Sequence, residues 1–350
     1  MNRLDERLEK LSLSTVSLLS QIDGLNGQWI GGARLSPQAL GRLRRSVLVT
    51  STGASTRIEG ANLSDVEVEK LMRGLSVQKL VDRDAQEVRG YYEVLAAVFD
   101  SWEDINLTEG SIKHLHSQLL KYSTKDERQR GEYKKMENRV IATDNAGKEV
   151  GTILETTAPF LTPKEMNELV SWTKTSLGEK KYHPLLVIAN FVVEFLNIHP
   201  FLDGNGRLSR VLTNLLMLQA GYGYIPYVSH EKLVEDNKTA YYQALRKSQA
   251  TFRTADATVA SWVSFFLEIG NAQAGQALAL LVAETIEKLL SPHQLKVWRY
   301  IQTVDVAAIQ DVTEATSVAR PTVRQAIERL LKLKKIERIG QGRTTRYRKL

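Results

Sequence analysis

The sequence predicts a mainly α-helical protein with one β-hairpin in its middle and a separate small domain at its C-terminal end. Three observations carry that prediction. Apolar residues recur at spacings of three and four along most of the 350 residues rather than alternating. One stretch, 138–157, departs from that period, with β-formers on both sides of Asp144-Asn145-Ala146-Gly147, a strong turn signal. Residues 291–350 hold 13 Lys/Arg against 5 Asp/Glu, whereas the preceding 290 residues hold 34 against 35. A near-neutral body therefore carries a basic tail, which points to nucleic acid or another acidic partner for the tail alone.

In chain order, Ser36-Pro37 opens a helix with Ser as cap, Pro at the first helical position, and Leu40, Leu43 and Val47 on one face. Ser64 and Glu67 form a capping box for a helix with Val68, Leu71 and Met72, stopped by Gly74. Further helices are expected at about 84–100, 109–121, 163–176, 184–197, 206–220, 231–248 and 257–290. The hairpin at 138–157 interrupts this series, and an open hairpin edge can pair with an extended peptide. No period of about 20–50 residues repeats, which argues against a solenoid.

Residues 291–350 follow a different pattern. A helix at about 292–303 and a short one at 307–316 precede a longer helix bearing Val323, Ile327, Leu330 and Leu331. Two basic strands, 335–339 and 344–349, close the chain across Gly340-Gln341-Gly342-Arg343. Three helices and a basic hairpin resemble a winged helix-turn-helix. Arg320, Thr322, Arg324 and Gln325 would lie on or near the outward face of its recognition helix, with Arg343 at the wing tip, placed for DNA; the alternative is a winged helix used only for protein contacts.

Composition removes several chemistries. With no cysteine, the chain has no disulfide, no Cys-ligated zinc, no iron–sulfur cluster and no thiol nucleophile. The opening MNRLDERLEKLSLSTVSLLS mixes charges among its leucines and reads neither as a signal peptide nor as a membrane span. A cytoplasmic protein without membrane contact is expected. No GxxxxGK[ST] or G-x-S-x-G occurs, and His230-Glu231 lacks the second histidine of a zinc protease. His116 reads as a packed histidine, and the five tryptophans as core anchors.

The densest cluster of reactive groups is His199-Pro200-Phe201-Leu202-Asp203-Gly204-Asn205-Gly206-Arg207-Leu208-Ser209-Arg210, a polar loop between two apolar helical stretches. Such a mount is rigid, as a positioned reaction centre requires. Gly204 and Gly206 permit positive φ and a nest of N–H groups for an anion. The following helix would aim its N-terminus at the same anion, with Arg207 and Arg210 as added cations. Asp203 is a hard oxygen ligand suited to Mg²⁺, which commonly takes one or two carboxylates plus phosphate oxygens and water. His199 can serve as the base that takes a proton from an incoming hydroxyl. Base, metal ligand, anion cradle and charge clamp together meet the requirements of phosphoryl or nucleotidyl transfer.

This string matches HxFx[D/E]GNGRxxR at every defined position, and the chain resembles the Fic (filamentation induced by cAMP) domain proteins. The resemblance implies an N-terminal helical region at 1–104, a catalytic core at 105–250, linker helices at 251–290 and a winged helix at 291–350. It also implies Mg²⁺-dependent transfer of AMP from ATP to a hydroxyl of a target protein, with release of pyrophosphate. His199 would then be the base and Asp203 the Mg²⁺ ligand. Gly204, Asn205 and Gly206 would cradle phosphate, Arg207 and Arg210 would meet the β- and γ-phosphates, and Tyr241 and Tyr242 would line the adenine pocket. The 138–157 hairpin would be the flap that aligns the target's extended segment.

Ser55-Thr56-Arg57-Ile58-Glu59-Gly60 fits the family's inhibitory signature [S/T]xxxE[G/N], placed here before the core. Glu59 would pair with Arg210 and occupy the cation that the γ-phosphate needs. A charge-assisted hydrogen bond is worth roughly 1.5–3 kcal/mol, enough to reduce productive binding about 10- to 100-fold. Thr56-x-x-Glu59 also fits an ordinary capping box. Two other activities share these residues: removal of AMP from a modified target, and DNA-binding regulation with an ATP-sensing core. Target identity and oligomeric state, a homodimer included, are open at this level.

Overall fold

The computed structural model describes residues 3–9, 11–32, 37–74, 83–143, 149–340 and 345–350, with the backbone alone described for 139–143, 149–155 and 282–288. Ser36, the turn at 144–147 and Arg343 lie outside the described residues. Two compact units are present, residues 1–278 and 279–350.

The first unit is built around α8 (Pro184–Ile198), whose sequence PLLVIANFVVEFLNI is apolar apart from one stripe of Asn190, Glu194 and Asn197. A helix so largely apolar must be surrounded. Val187, Ile188, Phe191, Val193, Phe195 and Ile198 are all fully buried. Its neighbour α9 (Asn205–Gln219) is buried along nearly its whole length, and α7 (Thr162–Gly178) also packs on α8. The short α1 (Arg3–Glu6) is tied to this core. Asn190 donates to the Leu4 carbonyl at 2.8 Å, and Trp172 donates to Asp5 at 3.0 Å. The buried Glu194 accepts from Arg7 at 2.5 Å and pairs with Arg3 at 3.0 Å, so its charge is compensated.

α2 (Leu13–Gly32) has no counterpart among the expected helices, because its glycines dilute the helical signal. Its buried Leu19, Ile22 and Trp29 supply the missing support. α3 (Pro37–Ile58) follows the expected opening but runs on through residues 55–58. α4 (Asp65–Gly74) has the expected capping box: Glu67 accepts the Ser64 N–H at 2.8 Å and its own N–H donates to the Ser64 hydroxyl at 3.4 Å. α5 (Arg83–Ser101) and α6 (Glu109–Leu119) come next. β1 (Arg139–Thr143) and β2 (Glu149–Glu155) form the antiparallel hairpin, irregular at two points in register. The single helix expected at 231–248 is two, α10 (His230–Asp236) and α11 (Lys238–Gln249), broken at Asn237. α12 (Ala260–Leu289) follows, with the Trp262 indole donating to the Ala189 carbonyl at 2.7 Å.

The second unit has its own core. α13 (Pro292–Ile301), α14 (Ile309–Thr316) and α15 (Arg320–Lys332) enclose Val297, Trp298, Ile301, Val312, Val323 and Ile327. β3 (Ile336–Ile339) and β4 (Arg346–Lys349) pair antiparallel, and Ala307 adds a bridge to Tyr347.

No helix among the described residues is long and apolar enough to cross a membrane.

Candidate active site

α8 ends where the chain turns sharply at His199, whose φ of 52° lies in the left-handed region while its N–H still donates to Phe195 at 2.9 Å. A non-glycine residue held there stores strain, which surrounding contacts must outweigh. Those contacts are numerous. Asn205 folds back on the loop, accepting the Phe201 N–H at 3.0 Å and donating to the Phe201 carbonyl at 2.7 Å. Gly204 turns at φ 80°, and its N–H donates to Asp203 Oδ1 at 2.6 Å. His116 stacks on Phe201 with ring centroids 3.8 Å apart. Its Nδ1 accepts the Gly131 N–H and its Nε2 donates to the Asp203 carbonyl, each at 3.0 Å. It is thus a packed histidine, and it pins the loop from below.

His199 Nδ1 faces the Leu196 carbonyl at 3.3 Å, and only a donor can bond there. That tautomer leaves Nε2 unprotonated and able to accept a proton. Burial among apolar neighbours disfavours the imidazolium and pulls the His199 pKa down to about 4, with the Lys134 charge acting in the same direction. The ring is half-buried and borders a cavity of about 190 Å³.

Asp203 and the two arginines sit around this cavity in different states. Burial works to raise the Asp203 pKa, but Arg207, the Gly204 N–H and Arg83 outweigh it and hold the carboxylate below its ordinary range. Arg207 is buried and bridges two acids, Asp203 at 3.0 Å and Glu87 at 2.9 Å. Among the described residues its Nε has no hydrogen-bond partner, and Asp203 Oδ2 has only a 3.5 Å contact to the exposed Arg83. This donor set fits Mg²⁺: one ionised carboxylate with an oxygen loosely held, facing the cavity that also holds the anion-binding groups. Among the described residues no three His, Cys, Asp or Glu side chains converge to hold a metal without a ligand's help.

Arg210, also buried, donates from Nε to the Ser55 hydroxyl at 2.8 Å and from Nη2 to the Ser55 carbonyl at 3.0 Å and Glu59 Oε1 at 2.7 Å. Its Nη1 is buried without a partner. The sequence pattern gives two glycines the same duty, but only Gly204 has positive φ; Gly206 lies in the first turn of α9. A Cβ at 206 would collide with the Glu59 carboxylate, so glycine there leaves room over the N-terminus of α9. Glu59 fills that room.

The end of α3 explains the Glu-Gly pair. Gly60 stands at φ 103°, its N–H donates to Arg57, and the Ala61 N–H donates to Thr56. This is a Schellman stop with glycine in the left-handed position, leaving Glu59 as the last residue of the turn. The Thr56 hydroxyl donates to Thr52 and Gly53 inside the helix, so the alternative capping box does not form. Arg57 fastens the end, donating to both oxygens of Glu235 at 2.6 and 3.1 Å and pairing with Asp65 at 2.9 Å.

Tyr241 and Tyr242 border the same cavity, together with Leu196, Leu202 and Leu245. Tyr241 is buried against Trp262 and Phe265, and the Tyr242 hydroxyl donates to the Ile58 carbonyl at 3.4 Å. The fold thus gathers His199, Asp203, Gly204, Asn205, Gly206, Arg207, Tyr241, Tyr242 and Glu59 around one cavity, with Arg210 behind Glu59. Sequence reasoning missed Glu87, Arg83 and Lys134. Their only signal is charge on otherwise unremarkable segments, and only proximity to the loop makes them relevant.

Arg320, Thr322, Arg324 and Gln325 belong to the second unit, at the start of α15. Arg320, Arg324 and Gln325 are exposed and Thr322 is half-buried. Arg338, Arg346, Arg348 and Lys349 of the β3–β4 hairpin are exposed as well.

Residues 106–217 match the model of the Fic/DOC family. Over 57 residues the chain is 42% identical to a protein adenylyltransferase Fic of Aedes aegypti, covering 16% of this chain and 11% of that protein. Over 73 residues it is 37% identical to a Fido domain-containing protein of Dictyostelium discoideum, covering 19% and 48%. The matched part thus spans about a tenth of the first relative and about half of the second. The fold is similar to a Fic family protein from Desulfovibrio desulfuricans, with a TM-score of 0.61, 23% identity and 97% of each chain covered.

Proposed function

The chain carries a Fic/Fido domain, and from that premise we propose that it moves AMP from ATP to a hydroxyl of a target protein and is restrained in cis by Glu59. The observation that carries this reading is the shared cavity. A histidine with a free Nε2, an ionised carboxylate and a helix N-terminus meet there, and the anion position is filled by the chain's own Glu59.

In the proposed reaction His199 Nε2 accepts the proton of the target hydroxyl as its oxygen bonds to the α-phosphorus of ATP. The bond from that phosphorus to the bridging oxygen breaks, and pyrophosphate leaves. Asp203 would hold Mg²⁺, which supplies positive charge against the phosphate oxygens. With Glu59 withdrawn, Arg210 offers Nη2 and the unpartnered Nη1 to the terminal phosphate. Arg207 reaches phosphate through its free Nε or by exchanging Asp203 or Glu87. Gly204 and Gly206 admit the anion to the α9 N-terminus, Asn205 keeps the loop folded, and Tyr241 and Tyr242 wall the adenine side. The two-stranded hairpin offers an open edge on which an extended segment of the target adds by strand pairing.

The test uses ATP labelled at the α-phosphate with Mg²⁺ and a cell lysate. Wild type, Glu59→Gly and Glu59→Gly/His199→Ala are compared. Label on protein should rise in the single variant and vanish in the double. Absence of label from all three, with folded protein that binds ATP, refutes the transferase reading and leaves AMP removal or regulation in its place.

A second reading concerns residues 279–350. Three helices closed by a hairpin, with exposed arginines at the start of α15 and on both strands, favour a winged helix-turn-helix that binds DNA. Its signature is a salt-dependent affinity for duplex DNA.

A further inference from the structure

Lys134 is a buried lysine, 3% exposed, with no carboxylate in ion-pair range among the described residues. Its three N–H bonds go to neutral oxygens: Asn138 Oδ1 at 2.8 Å, Thr156 Oγ1 at 2.8 Å and the Ile198 carbonyl at 3.0 Å. Its own main-chain N–H donates to the Pro200 carbonyl at 2.9 Å. Asn138 Nδ2 donates to the Phe201 carbonyl at 2.8 Å and the His199 carbonyl at 3.4 Å. Four successive carbonyls, 198 to 201, are therefore held by Lys134 and Asn138. Asn138 immediately precedes β1 and Thr156 immediately follows β2. Both roots of the hairpin and the left-handed turn at His199 hang on one amine and one amide.

An ammonium with no carboxylate in direct contact is costly to bury, and burial lowers the Lys134 pKa to about 8 against the opposing charge of Glu165. The last carbonyl of α8, at the negative end of that helix, offsets part of this cost. A methionine would fill the space without the penalty but could not hold the oxygens. We propose that Lys134 and Asn138 are positioning residues that set the distance between the His199 imidazole and a peptide segment lying on the hairpin. This inference rests on the transferase reading for its kinetic consequence but not for the coupling itself.

Lys134→Met and Asn138→Ala are to be made in the Glu59→Gly background. A displacement of about 1 Å at a reacting group costs on the order of 100-fold, so kcat for protein labelling should fall 10- to 100-fold. The KM for ATP should change less than kcat, since the Lys134 network meets the proposed phosphate cradle only through the Phe201 carbonyl that Asn138 shares with Asn205. Loss of the Lys134 charge should also move the acid limb of the pH–rate profile upward. Unchanged kcat in both folded variants, or a loss confined to the KM for ATP, overturns the proposal. Hydrogen exchange gives a reading independent of activity. In Lys134→Met, exchange should rise together at 139–155 and at 199–205; a rise in one segment alone, or in neither, overturns the coupling. If Glu59→Gly labels nothing, the transferase reading has failed, and the exchange result still decides this one. Thr156→Val, which removes only a hydroxyl, replaces Lys134→Met should that variant fail to fold, with the same paired rise in exchange expected and its absence decisive.

Discussion

Glu59 Oε1 accepts a hydrogen bond from Arg210 Nη2 at 2.7 Å while the same carboxylate stands against the Cα of Gly206, so one side chain occupies both the Arg210 cation and the N-terminus of α9. The side chain of Arg210 is 3% exposed and that of Glu59 is 33% exposed, which means the pair is opened from the Glu59 side. Ser55 holds the guanidinium in place with two further bonds whether or not Glu59 is there.

Glu59→Gln keeps the shape and removes the charge. The ion pair becomes a bond from the Arg210 guanidinium to a neutral amide oxygen, which gives up about 1 kcal/mol of a bond worth roughly 1.5–3 kcal/mol. Labelling by Glu59→Gln should therefore rise about 5- to 10-fold over wild type and stay below that of Glu59→Gly. Labelling by the Gln variant no higher than wild type would show that occupancy of space is the restraint; labelling equal to the Gly variant would show that charge alone is. Initial rates at a fixed ATP concentration decide it.

Gly206→Ala should be destabilising only while Glu59 is present. The new Cβ forces the carboxylate aside, at about 1–3 kcal/mol for overpacking. In Glu59→Gly the same substitution should be neutral or favourable by about 0.5–1 kcal/mol, because alanine is the better helix former. A double-mutant cycle by urea unfolding reads the coupling, and additivity would contradict the contact.

The pH dependence of the proposed transfer follows from the sign of the His199 shift. The base form is the neutral imidazole, and burial with Lys134 depresses its pKa to about 4. The rate of Glu59→Gly should be level from pH 8 to pH 6 and fall only as pH drops through about 4. Glu59 acts to raise this pKa, so its removal moves the limb lower still. A limb near the ordinary histidine value of about 6.5 would contradict the buried environment.

Arg57→Ala leaves Glu59 in the chain but removes the clamp to Glu235 and Asp65 that fastens the end of α3. Labelling should increase, less than in Glu59→Gly, and exchange at 57–61 should quicken. Unchanged exchange there would mean that the Schellman stop alone holds the turn.

For the second unit, replacing Arg320 and Arg324 by alanine should weaken DNA binding and flatten its dependence on salt. Each lost phosphate contact reduces the slope of log K against log salt by about one. An unchanged slope removes these two residues from the interface.

Much of this molecule is legible in its sequence because the signals are local. Ser64 and Glu67 are close enough along the chain to cap a helix, and the β-formers on both sides of 144–147 mark a hairpin's strands. The HPFLDGNGRLSR run carries base, carboxylate and glycine turn within one loop. The helix from Leu13 to Gly32 was not legible, since its glycines oppose helix formation and only the buried Leu19, Ile22 and Trp29 offset them. The break at Asn237 was equally hidden.

What the sequence by itself determined is the chemistry available: which groups can carry a proton, a metal or an anion, and that the basic charge is concentrated after residue 290. Only the tertiary structure decided how those groups are used. It placed Glu59 on Arg210, 151 residues away in the chain, and gave Gly206 the task of making room rather than turning. It tied Arg207 to Glu87 and hung the His199 turn on Lys134 and Asn138. The reason is physical: burial, hydrogen-bond satisfaction and charge compensation depend on which distant segments close around a group, and a linear pattern of residues carries no record of that closure.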